Sequence, residues 1–328
     1  MARRRSRPCW QTVMAASALL AATLAGGSGL PAASASGPCG TLSYQAASPP
    51  HYSHVVIVMD ENLSYRDFQQ TGQAPYLHGL AASCGSETSM HAATHPSQPN
   101  YMAATSGAAT KLGQHSANDN IFHQAQAASD IWKSYEESMA APCGAASGFY
   151  KRGHNPAYWY TDLRRPVDTC RSNDVPSASA LDQALTNDSL PTFSWISPNL
   201  CHDMHWLQGC PTGLSQRVAS GDQWISDLLG RLVSLPSYLA GRTLILVTWD
   251  EGNGPSQTGV DCTSQAVYSQ QASCRIPTIV VSPYITPGRT DADEHDLYGL
   301  LGTVEDVLGY PRLGQAQGRP SLRPGLGF

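Results

Sequence analysis

Four short apolar runs, rich in β-branched residues, most constrain the fold of this chain. They cover residues 54–59, 192–196, 243–249 and 276–281. None of them alternates polar with apolar residues, which is typical of strands buried on both faces of a parallel sheet. Helix-like stretches lie between or beyond them, at residues 98–106, 129–140, 216–235 and 297–308. This alternation predicts one α/β domain with a mostly parallel sheet.

Polar side chains follow three of the predicted strands. They are Asp60, Glu61 and Asn62 after the first, His202, Asp203 and His205 beyond the second, and Asp250 and Glu251 after the third. Residues just past the carboxyl ends of such strands face the ligand crevice. Carboxylates that meet there are costly to desolvate unless a cation neutralises them.

A divalent metal ion is therefore expected at this edge of the sheet. The candidate ligands are Glu61, Asn62, Asp250 and Glu251, with Asp203, His202 and His205 as further possibilities. Zn²⁺, Mn²⁺, Mg²⁺ and Ca²⁺ all suit such ligands, so the sequence leaves the metal open. The alternative for any one acidic residue is a helix cap or a solvated loop position.

A Pro-punctuated loop precedes the predicted helix at residues 98–106 and contains Thr94 and Ser97. A hydroxyl there can act as a metal-activated nucleophile, with helix N-terminal amides holding a phosphate. The alternative is that Ser97 caps the helix.

A second segment, residues 151–156, contains Lys151, Arg152 and His154, which can bind an anionic substrate. The alternative is an ordinary turn, because its Asn155-Pro156 pair is typical of turns.

Residues 1–35 combine an Arg cluster, an apolar run and a final Ala-Ser-Ala, which predicts a secretory signal peptide. We expect residues 36–53 to be an exposed lead-in and residues 54–328 to form the catalytic domain. The apolar run is short and rich in Ala, so we expect a secreted protein with no stable membrane anchor. The sequence does not distinguish the general export route from the twin-arginine route, and it indicates no obligate protein partner.

The net charge argues against nucleic-acid binding, and the cysteine count predicts disulfides. The net charge is −5, and loss of four Arg with the leader makes it about −9. Such an acidic chain with no basic stripe is not expected to bind nucleic acid. Eight cysteines follow the leader, and an even number in an exported protein predicts four disulfides. Spacing suggests that Cys201 pairs with Cys210 and Cys262 with Cys274, and leaves the other pairings open.

Six ordered blocks carry a family resemblance: VVIVMDEN, HPSQPNYMAATSG, HNP, SPNLCHDMH, TLILVTWDEG and RIPTIVVSPYI. They resemble the phosphoesterase family that contains secreted acid phosphatases and bacterial phospholipases C, a branch of the alkaline-phosphatase-like superfamily. The match runs from about His54 to about Gly314. It implies a three-layer α/β sandwich around the central sheet.

The resemblance also implies residue roles. Metal binding falls on Glu61, Asn62, Asp250 and Glu251, and the nucleophile falls on Ser97, with Thr94 in reserve and Asn100 contacting phosphate. Asn199, His202, Asp203 and His205 match a block used for metal binding, phosphate contact or general acid work. The HNP block matches His154 and Asn155 as substrate-binding residues.

Two departures from the family pattern stand out. Leu63 replaces a His that often follows the first acidic-Asn pair, and residues 297–301 lack the late His of an HYSLL block. His295, two residues upstream, is the candidate replacement and is predicted as a metal ligand.

The resulting hypothesis is a metal-dependent acid phosphatase that hydrolyses phosphomonoesters, with phosphoinositides among its candidate substrates. Ser97 is the expected nucleophile, and His202 or His205 protonates the leaving oxygen. The alternatives are a phospholipase C and a secreted anion- or metal-binding protein without catalysis. A serine esterase is disfavoured because the chain has no GxSxG elbow.

Overall fold

The computed structural model describes residues 37–44, 50–144, 148–254 and 258–328. Within these ranges the strands are β1 His54–Asp60, β2 Gly85–His91, β3 Trp132–Glu136, β4 Asp174–Pro176, β5 Phe193–Ser197, β6 Thr243–Trp249, β7 Arg275–Val281, β8 Arg289–Asp291 and β9 His295–Asp296. The α-helices are α1 Tyr65–Gln70, α2 Pro75–Ser83, α3 Ser97–Ser106, α4 Ile121–Ala127, α5 Pro156–Trp159, α6 Thr161–Arg164, α7 Val167–Asn173, α8 Ser177–Thr186, α9 Leu214–Leu232, α10 Pro236–Leu239, α11 Gln265–Tyr268, α12 Leu297–Leu308 and α13 Arg323–Leu326. The predicted leader, residues 1–35, lies outside the described residues.

All these strands join one mixed sheet in the order β4-β3-β5-β1-β6-β7-β2-β8, with β9 also paired to β2. Strand β7 is antiparallel to β6 and to β2, while every other pairing is parallel. The sheet is thus mostly parallel, and the carboxyl ends of β1, β5 and β6 lie at one edge. The predicted α/β class is confirmed.

The four predicted strands are β1, β5, β6 and β7. Residues 55–59 of β1 are at most 1% exposed, because β5 and β6 pair with both edges of this strand and other elements cover its faces. A strand in that position has no solvent face, so its sequence shows no polar alternation. The large rings of Phe122, Trp132 and Phe193 extend the core beside it.

The prediction of a helix at residues 129–140 was wrong. Residues 132–136 form β3, which pairs in parallel with β4 and β5, so that Ser134 lies opposite both Asp174 and Trp195. Trp132 and Tyr135 are buried in the core. The short mixed pattern of this segment does not fix its structure, and pairing along both edges decides in favour of a strand.

The other three predicted helices are present as α3, α9 and α12. Residues 98–106 of α3 are all buried, and this helix packs against α12. Asp296 caps α12 by accepting a hydrogen bond from the Gly299 amide at 2.9 Å.

In the described part of the chain, no helix is both long enough and apolar enough to cross a bilayer.

All four predicted disulfides are present. The pairs suggested by spacing, Cys201–Cys210 and Cys262–Cys274, are confirmed. The pairs that spacing left open are Cys39–Cys84 and Cys143–Cys170.

Of the predicted lead-in, residues 36–53, the structure describes residues 37–44 and 50–53, and several of these are buried. Cys39 and Tyr52 are both 2% exposed. The Leu42 amide donates a hydrogen bond to the Pro283 carbonyl at 3.0 Å, and the Tyr52 hydroxyl bonds Ser282 Oγ at 2.8 Å. The Cys39–Cys84 bond and these contacts hold the described part of the segment against the domain.

Candidate active site

The carboxyl ends of three neighbouring strands bring the predicted acidic residues together. Glu61 follows β1, Asp250 and Glu251 follow β6, and Asp203 lies in the loop after β5. Two backbone hydrogen bonds tie these segments: the Glu61 amide donates to the Asp203 carbonyl at 2.9 Å, and the Asp250 amide donates to the Asp60 carbonyl at 3.0 Å. The edge of the sheet therefore fixes the relative positions of the acidic groups.

Ser97 reaches this edge from the first position of α3. Its Oγ lies within hydrogen-bonding distance of Glu61 Oε1 and 3.1 Å from Glu251 Oε1. Pro96, not Ser97, is the N-cap residue of α3. The hydroxyl therefore faces two carboxylates at a helix N-terminus, where the helix dipole favours negative charge.

The acidic cluster fits a divalent cation. One ligand atom from each of Glu61, Asp250 and Glu251 lies within 4.8 Å of the others. Glu61 Oε2 and Asp250 Oδ2 are buried without a hydrogen-bond partner. Burial, followed by the charges of Glu61 and Glu251, raises the pKa of Asp250 well above its ordinary value. A cation among these oxygens would remove both the repulsion and the unmet hydrogen bonding.

His154 is held between two carboxylates. Its Nε2 lies 3.1 Å from Glu61 Oε1, its Nδ1 lies 3.3 Å from Asp203 Oδ2, and its ring stacks on Tyr101 at 5.2 Å. Burial lowers the pKa of His154, but the charges and hydrogen bonds of the two carboxylates outweigh it and raise that pKa well above the usual range. Burial likewise opposes ionisation of Glu61, yet His154, His205 and Ser97 lower its pKa to about 2.

A cavity of about 270 Å³ opens onto these groups. It is lined by Glu61, Asn62, Pro96, Ser97, Gln98, Leu112, Lys151, Gly153, His154, His205 and Glu251. The His205 side chain is 39% exposed, with Nε2 3.8 Å from Glu61 Oε2. Its amide donates to Asp203 Oδ1 at 2.8 Å. His205 therefore combines access to the cavity with a fixed backbone position.

His95 also belongs to the site, although it is not among the site residues predicted from the sequence. The buried ring hydrogen-bonds Glu251 Oε2 through Nδ1, and its Nε2 lies 3.2 Å from Ser273 Oγ. His95 thereby orients a carboxylate that faces Ser97. The only sequence signal was its place two residues before Ser97, which does not reveal a partner more than 150 residues away.

His202 lies apart from the acidic cluster in its described contacts. Its Nδ1 lies 2.9 Å from Glu137 Oε1, and its ring stacks on Trp224 at 6.3 Å. The hydrogen bond with Glu137 raises the pKa of His202. Because His202 does not line the cavity that contains Ser97, the geometry favours His205 over His202 as a proton donor.

The predicted substrate-binding residues divide into two groups. Asn100 is buried and holds the preceding loop, since its Oδ1 accepts from the Ala93 and Thr94 amides at 2.9 Å. Asn155 is also buried, caps α5 through the Tyr158 amide and donates to Asp174 Oδ1 at 2.7 Å. Both amides thus have partners within the protein, and their contact with substrate stays a prediction. Thr94 lines a neighbouring cavity of about 510 Å³ instead.

His295 does not join the Glu61 cluster. It lies in β9, which pairs with β2, and β6 and β7 separate β2 from β1. Its Nε2 lies 3.3 Å from Asp291 Oδ2 and 3.6 Å from Glu87 Oε2. This placement corrects the prediction of His295 as a ligand of the same metal, because the pairing of β9 with β2 gives it a different set of carboxylates.

A hydroxyl among carboxylates at the edge of a mostly parallel α/β sheet is an arrangement that suits the hydrolysis of esters. The chain belongs to the phosphoesterase family, whose model matches residues 67–311. It is a phosphoric ester hydrolase.

Two curated relatives are similar to this chain. A phosphatidylinositol-3-phosphatase of Mycobacterium tuberculosis is 28% identical over 285 residues, covering 84% of each chain. An acid phosphatase of Aspergillus fumigatus is 27% identical over 277 residues, covering 78% of this chain. The alignment spans 54% of the fungal protein, so this chain corresponds to about half of that relative.

A solved structure supports the alkaline-phosphatase-like fold. A protein of the alkaline phosphatase superfamily from Vibrio parahaemolyticus matches with a TM-score of 0.55 at 13% identity, covering 87% of this chain and 74% of that one. This similarity bears on the fold alone and agrees with the predicted architecture.

Proposed function

We propose that this chain is an exported, metal-dependent phosphatase that hydrolyses phosphomonoesters with Ser97 as the nucleophile. The observation that carries the proposal is the position of Ser97 Oγ, next to Glu61 Oε1 and 3.1 Å from Glu251 Oε1, on the wall of the cavity. The names of the relatives favour a phosphatase, and four disulfides fit an oxidising compartment outside the cell.

Glu61, Asp250 and Glu251 would hold the metal ion, with Asn62 beside them at the cavity wall. A divalent ion bound there would lower the pKa of a serine hydroxyl and offset negative charge on a phosphoryl group. Its identity stays open, because carboxylate and amide oxygens suit several metals.

The protein groups then divide the remaining work. Ser97 presents Oγ to the cavity, and the N-terminus of α3 favours the negative charge of a bound phosphate. His205 is the proposed general acid, because it lines the cavity and is exposed enough to reach a leaving oxygen. His154 is buried between Glu61 and Asp203 and is proposed to hold Glu61 in its ionised form.

The first experiment compares the wild-type protein with Ser97→Ala and Thr94→Ala variants, on a chromogenic phosphomonoester and a phosphocholine diester. Thr94→Ala is the matched control, because Thr94 is the other hydroxyl candidate in the same loop. We expect Ser97→Ala to lower kcat by at least about 10³-fold. Thr94→Ala should stay within about tenfold of wild type. Chelation should abolish turnover and added divalent metal should restore it.

Other results would revise the proposal. A loss of activity in Thr94→Ala with retention in Ser97→Ala would move the nucleophile to Thr94. A preference for the diester would make the enzyme a phospholipase C. Wild-type protein with no turnover of either ester under any metal would instead support a secreted anion- or metal-binding protein.

A further inference from the structure

A second group of potential metal ligands lies among the strands β2, β8 and β9, at one side of the sheet. Glu87 comes from β2, Asp291 from β8 and His295 from β9. The strand register brings them together, because Glu87 pairs with Asp291 and Met90 pairs with His295. One ligand atom from each side chain lies within 4.8 Å of the others. Three strands that are separate in sequence therefore direct their donors to one point.

These side chains are buried more deeply than an ordinary surface ion pair. Glu87 is 0% exposed, His295 is 4% exposed and Asp291 is 7% exposed. Glu87 Oε1 accepts a hydrogen bond from the Ser89 amide at 2.6 Å, and Asp291 Oδ1 accepts one from the Asp293 amide at 3.0 Å. The two remaining oxygens face His295 Nε2 at 3.6 and 3.3 Å.

Glu87 Oε2 is buried and has no hydrogen-bond partner. Arg275 does not supply one in its described contacts, because its guanidinium donates to the Thr88 carbonyl and packs over the Tyr65 ring. Two carboxylates buried beside one imidazole are costly to desolvate unless further positive charge reaches them. The unsatisfied oxygen points into the centre of the cluster, where a cation would bind.

The site is also closed on the side of the C-terminal helix α13. A Cβ atom at Gly325 would lie 1.5 Å from Asp291 Oδ2. Gly325 thus lets the backbone pack directly on the carboxylate. Of the three donors, His295 also borders a small cavity of about 90 Å³. Three protein ligands leave the fourth position of a tetrahedral Zn²⁺ ion to water.

We propose that Glu87, Asp291 and His295 bind one Zn²⁺ ion that joins β2, β8 and β9. Two carboxylates and an imidazole nitrogen are a ligand type that Zn²⁺ accepts, while Ca²⁺ and Mg²⁺ prefer oxygen donors alone. The ion is separate from the one proposed beside Ser97 and does not depend on catalysis. It would lock the short strands β8 and β9, which have only three and two residues, onto the sheet.

The test measures bound zinc by elemental analysis after stripping the full protein and dialysing it against limiting Zn²⁺. Glu87→Gln is the test variant, and Glu294→Gln is the matched control, because Glu294 is an exposed carboxylate next to His295. We expect Glu87→Gln to bind one Zn²⁺ fewer per chain than wild type, and Glu294→Gln to bind the wild-type number. Zinc should raise the Tm of wild type and of Glu294→Gln more than that of Glu87→Gln.

Equal zinc content and an equal Tm response in wild type and Glu87→Gln would overturn the proposal and leave the cluster as an ion-pair triad. His295→Gln provides the same test if Glu87→Gln does not fold. An Asp250→Asn variant should lose activity, and adding Glu87→Gln to it should remove one further Zn²⁺ per chain if the two sites are separate. Equal zinc content in Asp250→Asn and in the double variant would also overturn the proposal.

Discussion

The ring of His95 links the acidic cluster to the core at the scale of single residues. It is 2% exposed, and it joins Glu251 on one side to Ser273 on the other. Partners of this kind fix the orientation of a ligating carboxylate. His95 is therefore a positioning residue, whose effect on catalysis passes through Glu251.

We expect His95→Gln to weaken metal activation by about 10- to 100-fold, because Glu251 loses its fixed orientation. The measurement is the metal concentration that half-restores activity to the chelated enzyme. At saturating metal, kcat should return to within about tenfold of wild type. His78→Gln, at a histidine that contacts the Phe68 carbonyl, is the control and should show wild-type activation. An unchanged metal requirement in His95→Gln would contradict the assignment.

The sequence predicted those site residues that directly follow buried strands. Glu61, Asp250 and Glu251 belong to this group. Neighbouring parallel strands end on the same side of the sheet, so the residues that follow them lie close together. Side chains that depend on distant pairing were not predictable. His295 was assigned to the wrong cluster because nothing local indicates that β9 pairs with β2. The hydrogen bond of Asn155 to Asp174 likewise has no local signal in the sequence.

Solvent exposure determines how well each element could be predicted. Strands β1, β5, β6 and β7 show no regular polar alternation because nearly every residue in them is buried. Strand β2 contains Ser86, Glu87, Thr88 and Ser89, and β8 and β9 are very short, so none of these gives a periodic signal. Strand β3 was taken for a helix because its pairing partners, β4 and β5, lie far along the chain.

Helix α9 offers a matched pair of glycines. A Cβ at Gly221 would lie 2.6 Å from Met204 Cε and 2.7 Å from the His202 carbonyl. Met204 has a φ of 72° and lies in the loop with Asp203 and His205. The close approach of Gly221 therefore sets the position of that loop.

Gly221→Ala should lower kcat by at least about tenfold and reduce the Tm, because the contact with Met204 outweighs a gain in helix propensity of about 1 kcal/mol. Gly230→Ala is the control on the same helix, where a Cβ meets nothing within 4 Å. It should raise the free energy of unfolding by about 0.5–1 kcal/mol at unchanged kcat. Kinetics and thermal melts of both variants test this, and equal behaviour would contradict it.

Helix α12 contains a buried acid that should make stability depend on pH. Glu305 Oε1 accepts from the Leu313 amide at 3.0 Å, while Oε2 is buried without a partner. Burial raises the pKa of Glu305 from 4.5 to about 8. Between these values the folded state holds a proton that the unfolded state releases. The contribution of Glu305 to the free energy of unfolding therefore falls as pH rises through this window.

Glu305→Gln should be nearly neutral at pH 5 and stabilising at pH 8, because the amide imitates the protonated acid. One unit of pKa difference is about 1.4 kcal/mol, so the gain at pH 8 should exceed about 1 kcal/mol. Chemical denaturation from pH 5 to pH 8 measures it, with Asp168→Asn at an exposed acid of α7 as the control. A difference between wild type and Glu305→Gln that does not change with pH would disprove this account.

Two of the four disulfides differ in the length of the loop that they close and in their distance from the site. Cys39–Cys84 spans 45 residues. Cys84 directly precedes the amino end of β2, whereas the site lies at the carboxyl ends of β1, β5 and β6. Cys201–Cys210 spans 9 residues and encloses Asp203 and His205. Loop entropy alone predicts about 4 kcal/mol for the longer loop and about 2.6 kcal/mol for the shorter one.

We therefore expect opposite rankings for stability and for activity. The Cys39→Ala/Cys84→Ala variant should lose more Tm and keep kcat near wild type. The Cys201→Ala/Cys210→Ala variant should lose less Tm and more kcat, since its loop carries the proposed general acid. Thermal melts and steady-state kinetics decide, and a parallel loss of both properties in the two variants would count against this division.

The position of β1 in the sheet affects the biosynthesis of the protein. Its two neighbours are β5 and β6, which begin at Phe193 and Thr243, so the first strand to be made is among the last to gain partners. Until then, residues 55–59 leave an apolar strand with two open edges in a growing chain, which is a template for aggregation. A chaperone that shields this segment should increase the yield of active protein without changing its final stability.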